Sequence, residues 1–261
     1  MKITVLGCGG SSGVPMIGGA DGHGYWGTCD PHEPRNRRTR SSILMTGDHG
    51  ALLIDSGPDL RAQLLNCGIG RFDAVLYTHP HADHVAGLDE LRSINRALGA
   101  ALPLYATENT LGELRARFAY AFTPWKPPEF FRPVFTPHVI EPEERLRVAG
   151  MDLHLVPQVH GRIPTLGVRC GRFAYSTDVN LLHDDALASL EGLDTWMVDC
   201  FQNAPHSAHA WLDRVLHWRS ILKPRRMILT HMGTDMDYRT LCDTLPQGVE
   251  PAWDGMEFDV I

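Results

Sequence analysis

An α/β layered domain is the fold class this sequence predicts, and three observations predict it. Short apolar runs that end abruptly at a single His or Asp alternate with amphipathic stretches of helical period along the chain. Prolines suited to first turns and glycines suited to helix ends punctuate those stretches. Strand and helix signals stay mixed from end to end, which argues against a bundle or a β-sandwich, and no short-period repeat or low-complexity tail interrupts them.

Residues 2–6 read as a first strand that breaks at Gly7-Cys8-Gly9-Gly10 and leads into a glycine-rich loop reaching about Thr28. Residues 41–46 and 51–54 read as strands paired around the Gly47-Asp48-His49-Gly50 turn. A short helix is expected over 58–66, then a strand over 74–77, a helix over 89–98 closed by Gly99, a strand over 102–106 and a helix over 108–119. Six prolines within 123–142 predict a mostly irregular insertion that could wall a substrate pocket. The second half restarts the pattern, with strands at 152–157, 165–170, 173–176, 195–199, 227–230 and 257–260 and helices near 183–190 and 208–222.

A chain of 261 residues can bury a sizeable core, and one domain over residues 1–261 is expected. Its 24 Lys and Arg against 31 Asp and Glu leave a net charge of −7, which argues against a surface built to neutralise nucleic-acid phosphates and favours a small substrate. No stretch approaches the ~20 apolar residues of a membrane-spanning helix, and the start MKITVLGCGG is too short an apolar run for a secretory signal, so a cytoplasmic protein is expected. The six cysteines include no C-x-x-C pair, so neither a disulfide framework nor a cysteine-rich zinc knuckle is indicated. Nothing in the sequence argues against a homodimer.

The chemistry concentrates in "LYTHPHADHVAGLDELRSI", residues 76–94, which packs His79, His81, Asp83 and His84 into six residues between a strand and a helix. Pro80 lacks a backbone donor and biases His79 toward extended geometry, and an extended i, i+2 pair projects both imidazoles to one side. His79 and His81 can therefore share one cation, while the turn into the helix brings Asp83 and His84 to a neighbouring position suited to a second. Four ligands are too few for two ions. The remainder are available where other apolar runs end, at Asp55, His160, Asp178 and His231. A lone histidine after a strand is usually a hydrogen-bonded surface residue; it is the cluster that gives these single residues their meaning.

The series H-x-H-x-D-H, then a single His, a single Asp and a final His, resembles the ligand series of the metallo-β-lactamase superfamily. That resemblance implies a four-layer αββα sandwich and two divalent metal ions. His79, His81 and His160 would hold one, Asp83, His84 and His231 the other, with Asp178 bridging them and Asp55 orienting the cluster from behind. Zinc, manganese and iron all suit such donors. Within the superfamily, "LGCGGSSGVP", "HAWLDRVL" and "WDGMEFDV" resemble the PhnP-type phosphodiesterases, enzymes that open a cyclic ribose phosphate. That likeness implies a substrate-binding or proton-donating role for His209. One departure is plain: those relatives hold an extra structural zinc through several cysteines and a histidine, where this chain has only Cys29 and, at the histidine position, Thr234. His23, His32 and Cys29 are the residues that could replace it.

The expected activity is hydrolysis of a small phosphodiester by a hydroxide bridging two cations ~3.5–4 Å apart. Asp83 would orient the hydroxide, and His209 would protonate the leaving alkoxide, with His206 as rival donor. "RNRRTRSS" could bind phosphate through its arginines or form the solvated face of an edge strand. Two other readings are a tRNA 3′-processing endonuclease and a non-catalytic PqqB-like carrier. The acidic balance disfavours the first, and the intact ligand series together with His209 disfavours the second.

Overall fold

The structure is a computed structural model that describes residues 1–124, 126 and 130–260. In the first half the elements are β1 (Lys2–Gly7), β2 (Ser42–Gly47), β3 (Gly50–Ile54), α1 (Leu60–Asn66), β4 (Ala74–Leu76), α2 (Ala82–Val85), α3 (Arg92–Leu98), β5 (Leu102–Ala106), α4 (Glu108–Arg117) and β6 (Phe135–Val139). The second half adds β7 (Arg145–Val148), β8 (Met151–His160), β9 (Ile163–Cys170), β10 (Phe173–Ser176), α5 (Asp184–Ser189), β11 (Thr195–Asp199), α6 (Leu212–Leu222), β12 (Arg226–Thr230), α7 (Tyr238–Thr244), β13 (Val249–Pro251) and β14 (Glu257–Asp259).

These strands form two seven-stranded sheets, ordered β14-β1-β2-β3-β4-β5-β6 and β13-β12-β11-β10-β9-β8-β7. Inward-facing residues of both, among them Ile3, Ile43, Leu52, Leu155, Val168 and Tyr175, make one buried core. A second cluster packs Leu53, Val75 and Leu104 against Leu60, Leu88, Ile94 and Leu111 of the helices outside the first sheet. Val215, Trp218 and Leu241 cover the second sheet in the same way. The architecture is the αββα sandwich expected. Strands β11 and β12 read as continuous buried apolar runs because a parallel sheet covered on both faces leaves no polar face. Among the described residues no helix is long and apolar enough to cross a membrane.

Each sheet changes once from antiparallel to parallel pairing. Strand β3 runs antiparallel to β2 and parallel to β4, and β10 runs antiparallel to β9 and parallel to β11. In open α/β sheets, side chains at the carboxyl ends beside such a switch converge on a cleft. Asp55 directly follows β3 and Asp178 follows β10, so the sandwich offers its two switch points to one site.

Three expectations need correction. The proline-rich insertion contains β6, because Pro137 sits on the outermost strand of its sheet, where a missing N–H leaves no ladder bond unmade; Trp125, Pro127, Pro128 and Glu129 of that insertion lie outside the described residues. The helix expected from residue 208 begins at Leu212, since Ala210 is held extended by bonds from its N–H to Val179 O (2.7 Å) and from Phe201 N–H to its own carbonyl (2.9 Å). The arginines of residues 35–40 do not share one role, since Arg37 is exposed over the Trp26 ring while the others are tied into the structure. Arg38 is buried and donates to Asn36 Oδ1 (3.2 Å) and to the carbonyls of Met236 (2.6 Å) and Gly233 (3.4 Å), while Arg35 pairs with Glu33 and Arg40 with Asp59.

The loop after β3 clamps the histidine segment through backbone bonds, Ser56 N–H to His84 O (2.7 Å) and Gly87 N–H to Ser56 O (2.9 Å). Gly57 makes the approach feasible, because a Cβ there would lie 2.2 Å from Asp83 O. Gly57→Ala is therefore expected to destabilise the fold by about 1–3 kcal/mol through overpacking and to weaken metal binding at Asp83 and His84. Urea unfolding and metal titration of the variant read both effects.

Candidate metal centre

All nine residues singled out in the sequence meet at the edge where β3, β4, β8, β10, β11 and β12 end. Ligand atoms of His79, His81, His160 and Asp178 lie within 4.8 Å of one another, and so do those of Asp83, His84, Asp178 and His231. Asp178 belongs to both groups and divides its oxygens between them. Its Oδ1 faces His79 Nε2 (3.8 Å) and His160 Nε2 (3.7 Å), and its Oδ2 faces His84 Nε2 (3.0 Å) and His231 Nδ1 (3.2 Å). Among the described residues no third group of this kind occurs, and Cys29 is a buried thiol near Gly233 O rather than part of a cluster with His23 and His32.

The donor set fits divalent cations on a test internal to the molecule. The Nε2 atoms of His79, His84 and His231 are buried and make no hydrogen bond, an arrangement that is costly for a polar group unless something else satisfies it. His84 Nε2 lies 3.0 Å from Asp178 Oδ2 without an aligned hydrogen bond.

Behind the ligands, the imidazoles of His79, His84, His160 and His231 meet a partner through Nδ1, an arrangement that fixes tautomer and ring orientation in metal-binding histidines. Asp55 Oδ2 accepts from His84 Nδ1 (2.7 Å) and Thr78 Oγ1 (2.8 Å), and its Oδ1 accepts from Thr78 N–H (2.8 Å). His160 Nδ1 meets Ala208 O (2.7 Å), His79 Nδ1 meets Thr78 Oγ1 (3.0 Å), and His231 Nδ1 lies 3.2 Å from Ser41 Oγ. Asp55, Asp178 and His231 all adopt left-handed backbone, with φ of 63°, 50° and 56°. Such strain persists in non-glycine residues where the surroundings over-determine it, commonly at functional sites.

Electrostatics divides the histidines. Burial pushes His79 and His160 below the ordinary imidazole range, and it pushes His231 down to about 3, so all three offer neutral lone pairs. Burial also opposes charge on His84, but the carboxylates of Asp178, Asp55 and Asp83 outweigh it and raise this imidazole well above its usual value. Burial alone would raise Asp178, yet His231 and His84 hold its carboxyl well below the usual range. Cation binding is thus expected to displace a proton from His84, so affinity falls as pH drops and the acid form gains population. Calorimetric titration in buffers of different ionisation enthalpy reads that proton, and a hundredfold excess over Kd should stabilise the fold by about 2.7 kcal/mol.

His209 lies just outside the ligand groups, its ring 4.4 Å from that of His160, 4.8 Å from that of His231 and 4.9 Å from that of Phe201. Its Nδ1 bonds Asp199 Oδ2 (2.9 Å), which also accepts from Val179 N–H (3.0 Å). His206 turns its own Nδ1 to the backbone N–H groups of Ala208 (3.2 Å) and His209 (3.1 Å), so it caps the loop that carries His209. Asp199 is the functional residue that sequence reasoning missed. Its only signal was position, since it ends β11 as His231 follows β12.

Residues 51–232 match the model of the beta-lactamase superfamily domain. The chain belongs to that superfamily. It is 30% identical over 260 residues to an octanoyltransferase of Porphyromonas gingivalis, an alignment that covers 98% of this chain but only 51% of that protein. The chain thus spans about half the length of that relative. Its structure is similar to that of a diphosphatase from the PhnP family, with a TM-score of 0.88, 34% identity and coverage of 100% of this chain and 98% of the other. Zinc-bound PqqB of Methylobacterium extorquens shares the fold at a TM-score of 0.75 and 20% identity, each chain covered in full.

Proposed function

We propose that residues 1–261 form one hydrolase domain that binds two divalent metal ions and cleaves a small phosphodiester, a cyclic ribose or nucleotide phosphate being the favoured class. The observation that carries this reading is Asp178, whose two oxygens face two different ligand groups beside His209. His79, His81 and His160 would hold one ion, Asp83, His84 and His231 the other, and Asp178 both. Zinc, manganese and iron all suit this donor set. Ions there would lower the pKa of water and neutralise charge growing on a phosphoryl oxygen.

The chain's own residues supply the rest. Asp55 fixes the ring of His84, so the second group is built before substrate arrives. Asp83, half-buried while His84 is fully enclosed, presents a carboxylate that can accept a hydrogen bond from the attacking water. Asp199 holds His209 by Nδ1, leaving Nε2 to hand a proton to the departing alkoxide. Burial works against charge on His209, but the Asp199 carboxylate outweighs it and raises the imidazole above its usual value, which keeps a proton available near neutrality. The net charge of −7 supports a small substrate over a nucleic acid.

His209→Ala is expected to lower kcat by about 10²–10⁴-fold with metal content unchanged. Wild type and variant, loaded with zinc or manganese, should be assayed on bis(p-nitrophenyl) phosphate, a cyclic ribose phosphate and a precursor tRNA. Cleavage of the tRNA alone would favour a nuclease, and no metal-dependent turnover of any diester would favour a carrier; either outcome overturns the reading.

A further inference from the structure

The outer face of β7, β8 and β9 carries a cleft of about 690 Å³ lined by Arg145, Arg147, Asp152, His154 and Arg169. It lies far from the ligand groups: His154 and His160 are six residues apart on one extended strand, about 20 Å. Strand register creates the cluster. Arg145 pairs with His154 across β7–β8, and His154 pairs with Arg169 across β8–β9, so three basic side chains form a single cross-strand row. Two arginines flank one histidine in this row, on a sandwich whose net charge of −7 leaves carboxylates enough to neutralise them.

The carboxylates do not neutralise it. Arg169 donates from Nε to Gly171 O (3.0 Å) and from Nη1 to Ser189 O, carbonyls that aim the guanidinium without cancelling its charge. Among the described residues no ion pair involves Arg145. Arg147 reaches only Asp152 Oδ1, at 3.8 Å and in solvent, and Glu143 is the other acid near His154. Burial followed by the charges of Arg145 and Arg169 pushes the His154 imidazole downward, and burial followed by Arg145 lowers Arg169, which is how an uncompensated positive field acts on its own members.

We propose that this cleft is a second, oxyanion-binding site, in which Arg145 and Arg169 grip the phosphate group of free phosphate or of a phosphorylated small molecule. The Arg145 guanidinium can meet phosphate oxygens as a fork, Arg169 adds Nη2 beside the two nitrogens that already donate to carbonyls, and the cleft is of the size of a small-ligand site. His154 lies between the two arginines as a neutral donor or acceptor for a third oxygen. The inference is independent of the phosphodiesterase reading, since none of these residues touches the metal centre.

Amide NMR of the zinc-loaded protein separates the two sites. Inorganic phosphate and ribose 5-phosphate, titrated separately at 0.15 M salt, should each shift the amides of residues 145–154 and 169–171 saturably. Tighter binding of ribose 5-phosphate assigns the site to a phosphorylated metabolite, and equal binding assigns it to free phosphate. Arg145→Gln, an exposed substitution that leaves the remaining spectrum as its own fold control, should weaken these shifts about tenfold or more and leave shifts near His209 and diester turnover unchanged. Shifts that stay linear with concentration, that are absent, or that titrate identically in Arg145→Gln overturn the proposal.

Discussion

Asp178→Ala is expected to lower diester turnover by about 10³-fold or more, the several kcal/mol that metal-assisted charge stabilisation supplies, and to reduce bound metal from two equivalents to one or none. The size of the effect follows from sharing. Every other ligand serves one group, whereas the Asp178 oxygens approach His79 and His160 on one side and His84 and His231 on the other. Its removal also leaves four buried histidines around a site without a central counter-charge. Asp178→Asn separates the metal effect from a folding defect, because Asn tolerates the left-handed backbone seen here at φ 50° and keeps the side-chain volume while losing the charge. Metal analysis by mass spectrometry beside circular dichroism distinguishes the outcomes: an Asn variant that folds yet retains two ions and full turnover would contradict a bridging role.

Asp55→Ala is the second large effect, and it acts through stability as much as through chemistry. Asp55 is fully buried and accepts three hydrogen bonds, two from Thr78 and one from His84. Breaking such a buried pair costs about 3–5 kcal/mol, and alanine also fits the backbone at φ 63° poorly. The metal group built on His84 should weaken by about 10–100-fold once its ring is no longer oriented. Asp55→Asn should recover most of the folding but little of the affinity, because the amide fits the space without the charge that holds His84 by Nδ1. Urea midpoints and metal titrations of the pair of variants test this, and equal metal affinity in wild type and Asp55→Ala would remove Asp55 from the site.

How much of this was legible beforehand depended on whether the determinant was local. The segment from His79 to His84 could be read directly, since Pro80 and the i, i+2 spacing fix side-chain directions within six residues. His160, Asp178 and His231 could be read only as candidates at the ends of apolar runs, because a single residue at a strand end has no local pattern; their division between two ions came from the resemblance. Asp199 looked like any acidic residue ending a strand until the fold placed its carboxylate 2.9 Å from His209 Nδ1. The late start of α6 was hidden for a similar reason: Ala208-His209-Ala210 suits a helix locally, and the bonds that hold it extended come from Val179 and Phe201. The short elements β7, β13 and α7 escaped because runs of three to seven residues carry too little periodicity to stand out. The convergence of Asp55 and Asp178 on two switch points is a property of sheet topology, which no stretch of sequence displays.

The most direct test is turnover of bis(p-nitrophenyl) phosphate as a function of zinc or manganese added to chelator-treated protein. Two ligand groups joined by Asp178 predict activity that rises until two equivalents are bound, stays flat beyond, and vanishes again with chelator. A plateau reached at one equivalent, or turnover that persists in the chelated protein, would contradict a dinuclear centre as the seat of the reaction.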